Sequence, residues 1–180
     1  MKANNFFKKT GLFLVVLVLF TLLFAGKKQH SNSEPVYGTE EKINFKKDTN
    51  VLVTVNTDSI DRYNIEEMVT LSDDRGENSG KPKDFVSVVE KNQKIYWRGI
   101  AKNADSRDVV EIIKIFRKTD GGSQILDKTF KDPNKKGVVV GKIKNKKIQG
   151  LEYYNIRIMI NQDTTRIYDI DPKLKMLAID

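Results

Sequence analysis

The octapeptide "YYNIRIMI", Tyr153–Ile160, alternates along its length. Tyr154, Ile156, Ile158 and Ile160 fall on one face, with Asn155 and Arg157 on the other. Successive side chains of an extended chain point to opposite sides, so a period of two marks a strand with one face in a core and one in water. Moving outward, short β-like runs recur with turn residues between them. "RIYDI" (Arg166–Ile170) follows the polar turn "NQDTT", and "GVVVGKI" (Gly137–Ile143) follows "DPNKKG". "QILDKTF" (Gln124–Phe130) follows "TDGG", a strong turn signal. "VVEIIKIFRK" (Val109–Lys118) is apolar on both faces, which suits a central strand. "FVSVVE" (Phe85–Glu90) and "KIYWRG" (Lys94–Gly99) flank Lys91–Gln93, which reads as a hairpin turn. "VLVTVN" (Val51–Asn56) is alternating and β-branched.

One segment reads two ways. In "SIDRYNIEEMVTL", Ile60, Tyr63, Glu67, Met68 and Leu71 follow a helical spacing behind Ser59 as a cap, yet its tail "EEMVTL" equally suits a strand. Residues 72–84, "SDDRGENSGKPKD", read as an exposed loop. Strands at regular spacing, punctuated by Gly, Asn and Asp, predict an all-β chain. The expected fold is a single antiparallel β-sandwich, Greek-key and cupredoxin- or immunoglobulin-like, over residues 42–178.

A different kind of segment precedes it. From Gly11 to Gly26 there is no charged residue, and lysines close both ends. Counted between Lys9 and Lys27, residues 10–26 are just long enough to span a bilayer as a helix, with lysine stems reaching the interface. A cleaved export signal is the competing reading: Lys2, Lys8 and Lys9 supply its positive start. Its cleavage site is poor, since cutting after Ala25 leaves Leu23 in the outer position. Residues 1–28 are therefore read as an N-terminal transmembrane or signal helix, and 29–41 as a polar linker. Lysine placement puts the short N-terminus in the cytoplasm. The expected location is the inner (cytoplasmic) membrane, single-pass, with the soluble domain outside the cytoplasm; the alternative is export after cleavage.

The formal charge of +8 belongs mostly to this segment. Residues 31–180 hold 27 Lys plus Arg against 24 Asp plus Glu, a net of +3. Cysteine is absent, which removes disulfides, thiol catalysis and thiolate metal sites. The single histidine, His30, lies in the linker and is a poor base or ligand there.

Candidate sites are few. Residues 128–147, "KTFKDPNKKGVVVGKIKNKK", carry eight lysines and one acid, Asp132. Lys135, Lys136, Lys142, Lys144, Lys146 and Lys147 form a candidate surface for an anionic polymer or another envelope protein. A solvated face that guards strand edges is the plainer reading. The cluster has no arginine and only Phe130 as an aromatic, which argues against nucleic acid. Paired acids occur at Glu66–Glu67, Asp73–Asp74 and Asp169 with Asp171, but hydrolysis needs two carboxylates fixed across a cleft. Asp73 and Asp74, with Glu77, suggest Ca²⁺ ligation, yet lack the spacing of an EF-hand. Tyr96 and Trp97 read as an exposed carbohydrate or partner platform, or as core. No nucleophile elbow, phosphate loop or metalloprotease motif is present.

Two resemblances follow from these residues. "FVSVVEKNQKIYWRG" resembles the strand pair of cupredoxin-type sandwiches. Type 1 copper needs two imidazoles and a thiolate, so that resemblance implies a copper-free version. "NVLVTVNTDSI" (Asn50–Ile60), "KIYWRGIA" (Lys94–Ala101) and "YDIDPKLKM" (Tyr168–Met176) are similar to segments of the bacterial inclusion-body proteins of the PixA/AidA type. That resemblance implies a β-sandwich and supplies no catalytic residues, cofactor or metal. The sequence thus points to a non-catalytic, membrane-tethered binding or structural module of the bacterial cell envelope. Its alternatives are an envelope polysaccharide-acting enzyme using paired carboxylates, and an assembly-forming protein.

Overall fold

The computed structural model describes residues 47–75 and 79–177, all within the unit Ile43–Asp180. The anchor or signal segment 1–28, the linker 29–41, His30 and Glu77 lie outside the described residues. Among those described, no helix is long and apolar enough to cross a membrane.

In chain order the elements are β1 (Thr49–Val55), a single helical turn α1 (Ile65–Met68), β2 (Val69–Asp73), β3 (Ser79–Gly80), β4 (Val86–Val89), β5 (Lys94–Ala101), β6 (Val110–Gly122), β7 (Leu126–Lys131), β8 (Val138–Ile143), β9 (Leu151–Ile160), β10 (Ile167–Ile170) and β11 (Lys173–Met176). They form two sheets around one core. The first runs β3-β2-β1-β5-β8-β7; the second runs β10-β9-β11-β4, with β6 on β9. Val51, Val53, Val55, Ile95 and Trp97 of the first sheet meet Ile112, Tyr154, Ile156 and Ile158 of the second in that core. The alternation of 153–160 is realised: Tyr154, Ile156, Ile158 and Ile160 are all buried.

The all-β reading stands, but the wholly antiparallel one is corrected. β1 pairs with β5 in parallel, and β4 pairs with β11 in parallel, so both sheets are mixed. Parallel neighbours need a crossover, and the chain supplies two. It leaves β1, passes through α1, β2, β3 and β4, and returns as β5. It leaves β4 and comes back to it only with its last strand.

The same geometry corrects two turns. β4 and β5 belong to different sheets, so Lys91–Gln93 is a corner between layers rather than a hairpin, with Asn92 at φ 63°. "TDGG" is not itself the turn: β6 runs through it to Gly122, and the chain then crosses to β7 in the other sheet. Gly122 sits at φ +62°, where a Cβ would also strike the Leu151 carbonyl, so only glycine fits there. β6 is not central. Among the described residues it pairs with β9 alone. Its double apolarity comes from a bulge: the register shifts between Ile112 and Lys114, so Ile112 and Ile115 both point inward across the extra residue.

The remaining corrections are local. The helical spacing of 59–71 yields only α1, and its tail becomes β2, the strand alternative. Residues 72–84 are not one exposed loop. Ser72 and Asp73 end β2, β3 pairs with it, and Pro82 is buried. Arg75 is drawn inward too: its Nη1 donates to Glu90 (2.7 Å) and its Nε to Thr49 Oγ1 (3.0 Å), beneath the sheet. β10 and β11 keep one continuous register along β9, Ile167 opposite Met159 through Lys175 opposite Leu151, interrupted only at Asp171–Pro172. Proline lacks the N–H that would bridge the break.

Candidate functional site

Strand register assembles a basic face that the linear cluster only partly foreshadows. Lys142 on β8 lies directly opposite Lys94 on β5 and Lys128 on β7. Directly opposed residues share a face, so three lysines stand in a row across three strands on the outer side of the first sheet. All three are exposed. Among the described residues none has an ion-pair or hydrogen-bond partner for its ammonium group. Asp48 lies beside the Lys94 end of the row; its carboxylate keeps its charge while accepting from the backbone N–H of Lys94 (2.8 Å) and from the Tyr96 hydroxyl (3.4 Å), and makes no ion pair with the Lys94 ammonium.

Two residues further along each strand stand Tyr96, Val140 and Phe130, and beyond them Arg98 and Val138. The six candidate lysines separate accordingly. Lys135 and Lys136 are in the β7–β8 loop at one end of β8, and Lys144, Lys146 and Lys147 follow its other end, with Lys142 between. Six residues of strand separate the ends by about 20 Å. The half-buried Lys144 is tied down by its backbone, donating to Ile125 (3.0 Å) and accepting from Asn92 (3.2 Å). Lys135 stacks its ammonium over the Tyr96 ring at 5.9 Å. Lys131 stays exposed and reaches Glu111 of the other sheet (3.3 Å).

Lys94 is the residue that sequence reading missed. It is far from the cluster in the chain, and only the β5–β8 pairing brings it in. Lys128 had a local signal, since a hairpin through "DPNKKG" places it near Lys142.

Several of the paired acids are held by donors or cations among the described residues. Arg157 holds Asp169 through both oxygens (2.7 and 2.6 Å), and Lys118 holds Asp171 (2.8 Å). Glu66 accepts the Lys83 N–H (3.2 Å). Burial alone would raise the Asp74 pKa, but the Asn50 backbone and side-chain donors (2.8 and 2.7 Å) and Lys47 (3.3 Å) bring it below the usual carboxylate value. Among the described residues no group of three or more metal-ligating side chains occurs.

Two buried groups hold the layers together. Trp97 is in the core: its indole N–H donates to the Tyr154 hydroxyl (3.1 Å), the rings tilted at 57° with centroids 5.8 Å apart. Of the Tyr96–Trp97 pair, only Tyr96 reaches the outer face. Burial pushes the Tyr154 pKa up. Glu152, 1% exposed, accepts the N–H groups of Ile125 (2.5 Å) and Leu126 (2.7 Å), clamping the start of β7 to β9. Burial raises its pKa despite those donors.

This arrangement defines a two-layer β-domain with a basic outer face. No protein-family profile matches the chain, and no curated protein is significantly similar in sequence. Among solved structures, the inclusion body protein PixA from Burkholderia cenocepacia J2315 superposes with a TM-score of 0.53 at 12% identity. The match covers 76% of this chain and 100% of that one. It is a likeness of fold, and agrees with the fold implied by the three sequence segments.

Proposed function

We propose that this protein is a non-catalytic binding module whose working surface is the basic outer face of the first sheet, and whose partner is an anionic polymer. The carrying observation is the row Lys94–Lys142–Lys128, three like charges on adjacent strands with no acidic partner among the described residues. Like charges directly opposed destabilise a sheet, and a polyanion threaded over them relieves that repulsion. The exposed Lys146 adds a further positive charge beyond the end of β8. The partner is not nucleic acid in this reading, because Lys135 already covers the Tyr96 ring and Phe130 is the aromatic left open for stacking. Attachment to the inner membrane through residues 10–26, with the domain outside the cytoplasm, goes with the proposal. It is supported by the charge-free run and by an envelope's supply of anionic polymers.

The test is calorimetric titration of the full-length protein with polygalacturonate over a range of salt. Replacing Lys94, Lys128 and Lys142 together by Gln is expected to lower the slope of log K against log[salt] by about 2–3, near one unit per lost contact. An unchanged slope would remove the row from the binding surface.

A second reading is an assembly-forming protein, favoured by the likeness to PixA, an inclusion body protein. Sedimentation separates the two. Concentration-dependent growth of the full-length protein that survives the triple substitution supports assembly; a fixed mass at all concentrations opposes it.

A further inference from the structure

Two grooves, one on the first sheet and one between the end of β5 and the start of β6, share one pair of cations. One, of about 580 Å³, is bounded by Asn50, Leu52, Ser72, Tyr96 and Val138. The other, of about 770 Å³, is bounded by Gly99, Ile100, Ala101, Val109 and Val110. Arg98 and Lys136 line both.

Four acids line these grooves: Asp73 and Asp74 the first, Asp108 and Glu111 the second. Asp74 is ion-paired with Lys47 and Glu111 with Lys131, so each is offset. Asp108 accepts from the Asn161 amide (2.5 Å), which holds its pKa below the usual value and keeps it ionised. Asp73 accepts the Arg75 N–H (3.1 Å). Arg98 and Lys136 have no hydrogen bond or ion pair among the described residues. With the two ion pairs set aside, the cations Arg98, Lys135 and Lys136 outnumber the acids Asp73 and Asp108 in the lining, so its remaining charge is positive. A guanidinium beside an ammonium is best matched by an oxyanion, which the planar fork grips through two N–H donors.

The larger groove adds an apolar side. Val109 is 62% exposed at its rim, beside Ile100 and Ala101. A valine left open there gains by being covered. We propose that the Arg98–Lys136 junction binds a small amphiphile, its carboxylate or phosphate head held by the two cations and its short apolar body laid along Ile100, Ala101 and Val109. This site is separate from the lysine row. Arg98 lies four residues along β5 from Lys94, about 13 Å away.

The experiment is calorimetry of the full-length protein with octanoate, octyl phosphate and inorganic phosphate, the amphiphiles kept below their micellar concentrations. At least one amphiphile is expected to bind saturably, and the tighter of the two identifies the head group. Arg98→Gln and Lys136→Gln should each weaken it at least about tenfold, the loss of one charge-assisted contact. Val109→Ser should weaken the amphiphiles and leave inorganic phosphate unchanged, and hydrogen exchange should slow over residues 99–110. The Lys94/Lys128/Lys142 triple variant should bind octanoate and octyl phosphate as the unmodified protein does. Loss in that variant would move the ligand to the lysine row and overturn the proposal. So would absence of saturable binding, indifference to Arg98→Gln, or inorganic phosphate binding as tightly as octyl phosphate.

Discussion

Lys142→Glu should make the fold more stable while it weakens the polyanion binding proposed for the same face. Lys142 faces a lysine on each side, Lys94 on β5 and Lys128 on β7. Directly opposed side chains have Cβ atoms about 5 Å apart, and a charge pair there is worth roughly 0.2–1 kcal/mol of either sign. The substitution turns two repulsions into two attractions. All three side chains are exposed, so solvent screening holds each swing to the lower part of that range, and the total gain is about 1 kcal/mol. Lys142→Gln removes the repulsion without adding attraction and should recover about half. The assay is urea unfolding, since urea is uncharged, at about 0.01 M and about 1 M salt, where the Debye length is roughly 30 Å and 3 Å. The gain should be present at low salt and nearly vanish at high salt. A Lys142→Glu protein no more stable than the original at low salt would refute the reasoning. It would mean that the flexible stems splay apart and the row carries no mutual repulsion.

Three further outcomes follow from the buried contacts. Tyr154→Phe strands the Trp97 indole N–H in the core and should cost about 1–3 kcal/mol in urea unfolding; a neutral result would mean the indole finds another acceptor. Gly141→Ala places a Cβ 2.7 Å from the Trp97 ring and 2.8 Å from Leu126, so overpacking should cost about 1–3 kcal/mol, with a shifted Trp97 fluorescence spectrum as its local sign. Glu152 has a raised folded-state pKa, so its neutral form is favoured by folding. That contribution is whole below the ordinary carboxylate pKa and fades as pH rises through the raised value. Glu152→Gln, which keeps an acceptor for Ile125 and Leu126, should therefore gain on the unmodified protein as pH climbs from about 4 to 7. A gap between the two that stays constant with pH would mean that Glu152 titrates normally.

Strand positions were legible in the sequence because they rest on local alternation. Val51–Asn56, Tyr153–Ile160 and Gly137–Ile143 each carry their own pattern, and each is a strand close to where it reads as one. Strand partners were not legible. Lys91–Gln93 reads as a hairpin turn and "TDGG" as a turn, but the chain changes layers at the first and just after the second. Turn residues specify that the backbone bends and do not specify the sheet it bends into. The bulge in β6 misled for a related reason: one inserted residue turns Ile112 and Ile115, three positions apart, to the same face, and a period-two reading takes that for burial on both faces. The candidate site was half legible for the same cause. A run of lysines is visible as composition, whereas the row needs the register of β5, β8 and β7, which depends on the parallel return of β5 beside β1.

That topology also bears on why the lysines are there. Lysine on a terminal strand protects its open edge from pairing with other chains. Lys128 on β7, at the end of the first sheet, is accounted for in this way. Lys94 and Lys142 are not, because β5 and β8 are interior strands whose backbones are paired on both sides. An outward position on such a strand needs only a polar side chain. Thr54 and Thr70, opposed on the same sheet, satisfy that need without charge repulsion. Stacking three ammonium groups across β5, β8 and β7 is the costlier choice for a face that only has to be wet, and an anion bound there, as proposed, would offset that cost.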